Sequence, residues 1–232
     1  MTKRPGLKLL STLAVMGAMK DLAEAYRART GIAINAEFAP TVALLEKLRA
    51  GEAGDVVILT AQGIDDMMVE GPVLLASRVD VALSFVGVAV KAGAPKPDLS
   101  TVAAFRATML AAESVAYSKI GASGIYFAGL LERMGIADQV KTQIVPTGFT
   151  AERVANGQAE LAVQQISELL VVPGIEIAGP LPADIQTVAT FSGGVLRASA
   201  MQDAARDFLR FLAGSDAEAV LIASGLKPAG GA

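Results

Sequence analysis

The chain has 232 residues, of which 53% are apolar, and a formal net charge of −3. It contains no cysteine and no histidine, which excludes thiolate or imidazole zinc sites, Ser-His triads and histidine general bases. The sequence also has no run of five or six basic residues, so we expect no nucleic-acid partner. We expect neither a cofactor nor a metal.

The first question is whether LKLLSTLAVMGAMKDLAEAY, residues 7–26, is a secretory signal peptide, because it follows the basic start MTKR. Apolar residues recur at helical spacing from Val15 to Tyr26, and Gly31 supplies a stop for the helix. Residues 8–13 predict a buried strand before it. We therefore favour a strand and a helix of a folded domain, and we expect any native leader to have been removed. The uncharged apolar stretch 9–19 is shorter than the ~20 residues that span a bilayer, so we do not expect a membrane-embedded chain.

Strand and helix patterns alternate along the rest of the chain. The predicted order is strand 32–38, helix 42–49, strand 55–60, helix 64–70, a strand-rich segment 79–90, helix 102–112, strand 114–117, helix 123–134, strand 143–145, helix 151–156, strand 160–164 and helices 201–213 and 217–224. Such alternation is typical of an α/β fold with mostly parallel sheets.

Two long segments, 81–90 and 185–196, have the character of connections between lobes. We predict a discontinuous first lobe formed by residues 1–82 and 191–232, and a second lobe formed by residues 83–190. The two connections would form a hinge, and a ligand would bind in the cleft between the lobes.

Three segments carry a resemblance to a known family. They are TGIAINAEFAPTVALLEKLRAGEAGDVVILTAQ, YSKIGASGIYFAGLLERMGI and VANGQAELAVQQISELL. In this order they resemble the molybdate-binding-protein-like branch of the type II periplasmic solute-binding proteins of ABC transporters, which also includes aconitate isomerase-like proteins. The resemblance implies two α/β lobes, a periplasmic location, a small anionic ligand and a membrane ABC permease as partner.

Loops that lead from strand ends into helix N-termini can hold an anion through free N–H groups and the helix dipole. Three loops qualify: one from Ser11 to Ala14, one from Pro40 to Val42 with Thr41 as N-cap, and one from Gly121 to Gly124. Each hydroxyl taken alone has the alternative role of an ordinary helix cap; the resemblance favours ligand binding for the three together. The candidate ligand-binding residues are Ser11, Thr12, Thr41, Lys119, Ser123, Gly124, Tyr126, Gln164 and Gln165.

Two positions depart from the molybdate-binding pattern. Ala14 stands where the resemblance implies a ligand-contacting serine, and Gln164 stands where it implies a tyrosine. Loss of a hydroxyl that bonds a charged ligand costs about 1.5–3 kcal/mol, so molybdate is not the first choice of ligand. The amides of Gln164 and Gln165 both donate and accept hydrogen bonds, which suits a carboxylate or a hydroxy acid.

Two functions from different classes remain open. The first is a receptor without catalytic residues that binds a small organic or inorganic anion for an ABC permease. The second is an isomerase that moves a proton on a tricarboxylate, as the resemblance to aconitate isomerases implies. We favour the receptor, because proton abstraction needs a base poised near neutral pH and the sequence offers no histidine.

Overall fold

The computed structural model describes residues 6–230. Residues 1–5, which include the basic start, and residues 231–232 were both assigned to the predicted first lobe and lie outside this range. The chain divides into two compact units. The first unit comprises the residues up to Leu83 together with those from Ala189 onward, and the second unit comprises Ser84–Val188.

The secondary structure alternates between strands and helices through most of the chain. The first part contains β1 (Gly6–Ser11), α1 (Met16–Thr30), β2 (Ala33–Phe38), α2 (Thr41–Arg49), β3 (Val56–Thr60), α3 (Ala61–Glu70) and β4 (Val79–Lys91). The middle part contains α4 (Val102–Ala111), β5 (Val115–Ser118), α5 (Ala122–Arg133), β6 (Thr142–Val145), α6 (Ala151–Ala155), β7 (Leu161–Gln165), α7 (Ile166–Leu169) and β8 (Ile175–Pro180). The last part contains β9 (Val188–Val195), α8 (Gln202–Leu212), α9 (Ser215–Ala223) and β10 (Lys227–Pro228). Two 3₁₀ turns cover Leu13–Val15 and Ala183–Ile185.

The sheet of the first unit is built on three parallel strands. β1 lies between β2 and β3, with Ser11 opposite Phe38 on one side and Ile58 on the other. β9 extends this sheet antiparallel to β3. The carboxyl ends of β1, β2 and β3 therefore lie at one edge, where each strand leads towards a helix.

The core of the first unit lies on both faces of its sheet, because successive strand side chains point to opposite faces. Leu9 belongs to a cluster with residues of α1, α8 and α9, in which the rings of Tyr26 and Phe208 lie 4.9 Å apart. Leu10 belongs to a second cluster with residues of α2 and α3. Fully burying a leucine side chain contributes about 1.5–3 kcal/mol, so these two layers fix β1 in register.

The second unit repeats this arrangement. Its strands lie in the order β8, β4, β7, β5, β6; β5, β6 and β7 are parallel, and β4 is antiparallel to β7 and to β8. One face carries a cluster with Phe105 of α4 and Phe127 of α5. The other face carries a cluster with Val154 of α6 and Leu169 of α7.

Several predicted boundaries were wrong. β1 ends at Ser11, and Leu13 begins a 3₁₀ turn; the apolar run continues past the strand because Ala14 and Val15 are buried in the turn. The predicted segment from Ile185 begins with the end of a 3₁₀ turn, and β9 starts only at Val188. β8, β10 and the short α7 were not predicted.

Of the helices within residues 6–230, none is long and apolar enough to cross a membrane.

Candidate functional site

The carboxyl ends of three parallel strands meet at one edge of the sheet in the second unit. β5 pairs with β6 through Ser118 and Val145, and with β7 through Tyr117 and Val163. β4 runs antiparallel to β7, so Ser84 near the start of its second-unit part reaches the same edge. We call this the C-terminal edge of the second unit. Helices that begin at such an edge present free N–H groups and the positive end of their dipole.

Ser123 lies in the first turn of α5 at this edge. The helix begins at Ala122 after Gly121, which has extended backbone and provides no side-chain cap. Ser123 is 1% exposed, and its Oγ has no hydrogen-bond partner. An unsatisfied buried polar group costs about 1–3 kcal/mol. The hydroxyl is therefore placed to bond a group that reaches the start of α5.

Gly124 allows α5 to begin in direct contact with the end of β5. A Cβ at this position would lie 1.8 Å from the carbonyl oxygen of Ser118, so a larger residue requires the backbone to move. The Oγ of Ser118 also accepts a hydrogen bond from the backbone N of Gly121 at 2.9 Å. These two contacts hold the first N–H groups of α5 at the C-terminal edge.

Gln165 is the last residue of β7 and is 2% exposed. It shares a face of the sheet with Val163, which packs in the same cluster as Phe127 of α5. Ser123 lies one turn before Phe127, so Gln165 and Ser123 lie on the same face of the sheet. The Oε1 of Gln165 and the Oγ of Ser123 are the two buried side-chain N or O atoms that have no partner within residues 6–230. Both atoms therefore belong to the candidate site at this edge.

Gln164 points to the opposite face of the sheet and is already engaged. Its Oε1 accepts hydrogen bonds from the backbone N of Thr150 at 2.8 Å and from the Oγ1 of Thr150 at 2.9 Å. Its Nε2 lies 3.5 Å from the carbonyl oxygen of Gly148. This amide therefore holds the loop between β6 and α6, and of the two neighbouring glutamines Gln165 is the one without protein partners for its buried oxygen.

Glu168 is the functional candidate that the sequence analysis missed. It lies in α7, is 8% exposed and forms no ion pair with any of the described residues. Burial raises the pKa of its carboxyl to about 7, against the opposing effect of a hydrogen bond from the Gln164 amide. The sequence carries no signal for it, because its burial arises from the packing of α7 on β7 and β8.

Lys119 and Tyr126 lie on either side of the start of α5. The Lys119 side chain is exposed, and its backbone N donates to the carbonyl of Val145 at 2.8 Å. The hydroxyl of Tyr126 donates to the carbonyl of Ile185 at 2.8 Å, and its ring lies beneath the guanidinium of Arg133. The Tyr126 hydroxyl is thus committed to a contact that ties α5 to the turn before β9.

In the first unit, Ser11 and Thr12 lie at the carboxyl end of β1. Ser11 is fully buried, and its Oγ donates to the carbonyl of Thr12 at 3.1 Å. Thr12 is 4% exposed, and its backbone N donates to the carbonyl of Ile58 at 2.9 Å. A 3₁₀ turn follows before α1 begins at Met16, so this loop leads into a tighter turn than the predicted α-helix start.

Thr41 is not an N-cap, contrary to the prediction. Pro40 occupies the N-cap position of α2, no side chain caps this helix, and Thr41 is its first residue. Pro40 has the extended backbone that precedes a helix, because the proline ring fixes φ near −65°. Thr60 provides a true cap nearby, since its Oγ1 accepts from the backbone N of Gly63 at 3.3 Å.

Three arginines without a predicted role are engaged within their own units. Arg78 bonds the carboxylates of Asp65 and Asp80 at 2.7 and 2.9 Å. Arg153 donates to the side chain of Gln158, and Arg197 donates to the carbonyl of Gly71. These guanidinium groups have structural partners.

The structure thus places some of the predicted residues together in each unit. In the second unit, Ser123, Gly124 and Gln165 lie at the C-terminal edge. In the first unit, Ser11 is the last residue of β1, and Thr41 follows the neighbouring strand β2. Which of these residues contact a ligand stays a prediction.

Comparison with known proteins shows which family has this sequence pattern. The profile of a family described as bacterial extracellular solute-binding protein matches residues 7–227. An aconitate isomerase from a Pseudomonas species is 38% identical over 230 residues, a match that covers 96% of this chain and 87% of that protein.

Two solved structures share the fold. The periplasmic molybdate-binding protein of Azotobacter vinelandii superposes with a TM-score of 0.78 at 18% identity, over 95% of this chain and 98% of that chain. PEB3, a protein of Campylobacter jejuni, superposes in its L-phospholactate-bound structure with a TM-score of 0.71 at 16% identity, over 95% and 99% of the two chains. The predicted type II periplasmic-binding-protein fold is confirmed.

Proposed function

Because the chain belongs to the family of bacterial extracellular solute-binding proteins, we propose that it binds a small organic polycarboxylate. The observation that carries this proposal is the pair of buried, unpartnered atoms at the C-terminal edge of the second unit, Ser123 Oγ and Gln165 Oε1. A carboxylate that reaches the start of α5 would accept from the Ser123 hydroxyl, and a hydroxyl or protonated carboxyl of the same ligand would donate to Gln165 Oε1.

The chemistry of this edge suits a carboxylate. The first N–H groups of α5 and the Ser123 hydroxyl donate hydrogen bonds, and the helix dipole adds favourable potential for a negative charge. The amide of Gln165 both donates and accepts. The Oε1 of Gln165 is an acceptor, so it needs a donor from the ligand. The hydroxyl or protonated carboxyl group of an organic acid supplies such a donor, whereas a fully ionised oxyanion has none.

Molybdate fits this chain less well. Ala14 stands where a ligand-contacting serine was expected, and it is fully buried in the core of the first unit. Gln164 stands where a tyrosine was expected, and Thr150 occupies its amide oxygen. Neither residue supplies a hydroxyl donor for a tetrahedral oxyanion.

The family and the fold also support a wider role in transport. We infer that the protein works in the periplasm and delivers its ligand to a membrane ABC permease. The ligand would be a polycarboxylate in preference to molybdate or sulfate.

A second candidate function is the isomerisation of a bound tricarboxylate. It is favoured by Glu168, because a carboxyl whose pKa is about 7 can accept and return a proton near neutral pH. The 38% identical relative is an aconitate isomerase. In this reaction a base would remove a proton from the methylene carbon next to a carboxylate, and the proton would return to the other end of the allylic system, so that the double bond moves with no net change in composition.

Two measurements test these functions side by side. Isothermal titration with cis-aconitate, trans-aconitate, citrate, molybdate and sulfate should give the tightest binding for a polycarboxylate; tightest binding of molybdate would contradict the proposal. Proton NMR of trans-aconitate incubated with the protein follows the conversion to the cis form. Isomerase activity would be established if the wild type and Glu132→Gln convert the substrate at the same rate and Glu168→Gln does not convert it. Binding without any conversion would support the receptor function.

A further inference from the structure

Glu168 lies within a group of buried polar side chains at the C-terminal edge of the second unit. Ser167 beside it has its Oγ 3.3 Å from the Oγ of Ser84 on β4. Gln164 of β7, held by Thr150, lies four residues before it, and its amide donates a hydrogen bond to the Glu168 carboxyl. Within this group Glu168 is the single residue that can carry a charge. It lies three residues after Gln165, whose amide oxygen has no hydrogen-bond partner.

No charged neighbour compensates this carboxyl within the described residues. α7 packs against β7 and β8; β7 has no titratable residue, and in β8 the carboxylate of Glu176 pairs with Lys96 at 3.3 Å. The nearby helix α6 carries Glu152 and Arg153, and the guanidinium of Arg153 bonds Gln158. The charge state of Glu168 is therefore set by its burial and by the amide of Gln164.

We propose that anion binding to this protein is coupled to a proton, which Glu168 takes up when the ligand binds at the C-terminal edge of the second unit. This inference rests on the proposed function, because it places the anion at the edge that carries Ser123 and Gln165. Glu168 acts here as a positioning residue, whose protonation state determines how well the edge accepts a negative charge.

The coupling follows from electrostatics in a poorly solvated region. Gln165 directly precedes α7 and Glu168 lies in the first turn of that helix, so an anion held at Gln165 lies close to the Glu168 carboxyl. Like charges at such distances disfavour each other, and the bound anion shifts the carboxyl further towards its neutral form. Burial has already brought the free carboxyl close to half protonation at neutral pH, so this shift requires a proton from solvent.

The affinity should therefore depend on pH in one direction. Well below pH 7 the carboxyl is neutral with or without ligand, and affinity is independent of this group. Above pH 7 the free protein must take up a proton to bind, and the dissociation constant should rise by up to about tenfold per pH unit.

The experiment is isothermal titration of the full chain with trans-aconitate at pH 7.5 in HEPES and in Tris, which have different ionisation enthalpies and supply no competing oxyanion. The dependence of the observed enthalpy on the buffer counts the protons taken up. Glu168→Gln, which is neutral and similar in shape, corrects for protons that bind to the ligand itself. Because the free carboxyl is already about one quarter protonated at pH 7.5, we expect the wild type to take up about 0.5–0.75 proton more per ligand than Glu168→Gln. We expect Glu132→Gln, which changes an exposed carboxylate on α5, to match the wild type.

Equal proton counts in the wild type and Glu168→Gln would overturn the coupling while leaving anion binding intact. A complete lack of binding by every anion tested would overturn the proposed function and this inference together. Carbon-13 NMR of the Glu168 carboxyl in the wild type provides a measurement that needs no variant: its titration midpoint should move to higher pH when the ligand is saturating, and an unchanged midpoint would contradict the proposal.

Discussion

The amide oxygen of Gln164 accepts two hydrogen bonds from Thr150, from the backbone N at 2.8 Å and from Oγ1 at 2.9 Å. This pair fixes the orientation of the amide, so that its NH₂ group faces away from Thr150. The NH₂ group is then available to Glu168, where its hydrogen bond opposes the effect of burial on the carboxyl pKa. One side chain thus connects the loop after β6 to the buried carboxyl on α7.

Replacement of this amide should destabilise the fold. Gln164→Leu leaves the backbone N of Thr150 buried without an acceptor, which costs about 1–3 kcal/mol. It also removes the nearer of two acceptors of the Thr150 hydroxyl, which keeps only the carbonyl of Val163 at 3.5 Å. We expect the free energy of unfolding, measured by urea denaturation, to fall by about 2–4 kcal/mol. The control is Gln139→Leu, which changes an exposed glutamine and should alter stability by less than about 0.5 kcal/mol. Equal effects of the two changes would contradict the structural role of Gln164.

Two glycines of α5 should respond to alanine in opposite directions. In Gly124→Ala the new Cβ would lie 1.8 Å from the carbonyl oxygen of Ser118, so β5 and α5 must separate, at a cost of about 1–3 kcal/mol or more. In Gly129→Ala the nearest atom is the mobile Nη1 of Arg133 at 3.2 Å. A glycine in a helix interior is about 0.5–1 kcal/mol worse than alanine, so this change should stabilise the protein. Thermal unfolding measures both, and destabilisation of equal size would contradict the close packing at Gly124.

The hydroxyls of Ser123 and Thr41 should matter for binding more than for folding. The double variant Ser123→Ala, Thr41→Ala should weaken binding of a polycarboxylate by more than tenfold with little change in melting temperature, because neither hydroxyl forms a capping bond. Thr101→Ala is the matched control. The Thr101 Oγ1 caps α4 by accepting from the backbone N of Ala104 at 3.1 Å, so its loss should cost about 1 kcal/mol of stability and leave affinity unchanged. Preserved affinity in the double variant would remove both residues from the site.

The fold could be predicted where one pattern dominates. DVVILT predicted a strand buried on both faces, and β3 is fully buried from Val56 to Leu59. Gly31 predicted the end of the first helix, and it adopts the left-handed conformation with φ 77° after α1. Here local preference and burial favour the same structure.

Other elements depend on partners that are distant in sequence. β8 contains no continuous apolar run and is a strand because it pairs with β4, 84 or more residues earlier in the chain. Thr41 was predicted as a cap from its residue type, but Pro40 holds that position. Glu168 resembles any polar residue of a short helix, and its burial arises from the packing of α7 on β7 and β8. A single sequence gives no signal for such contacts.

The stability of the protein should carry a pH dependence from Glu168. Its pKa is about 7 in the folded chain and near the ordinary 4.5 when the chain unfolds. Between these values the unfolded chain loses its proton while the folded chain retains it, so the unfolded state binds fewer protons and stability falls as pH rises. Over about 2.5 pH units this amounts to about 3 kcal/mol. The loss should be complete just above pH 7.

Glu168→Gln isolates this contribution because the amide cannot ionise. Urea denaturation of the variant and the wild type at several pH values between 4 and 8 gives the difference in their free energies of unfolding. We expect this difference to move in favour of the variant by about 3 kcal/mol between pH 4 and pH 8, with most of the change between pH 4.5 and 7. The corresponding curve for Glu132→Gln should be flat. A flat curve for Glu168→Gln as well would mean that the Glu168 carboxyl is solvated in the folded protein, which would contradict the burial on which its role in proton transfer depends.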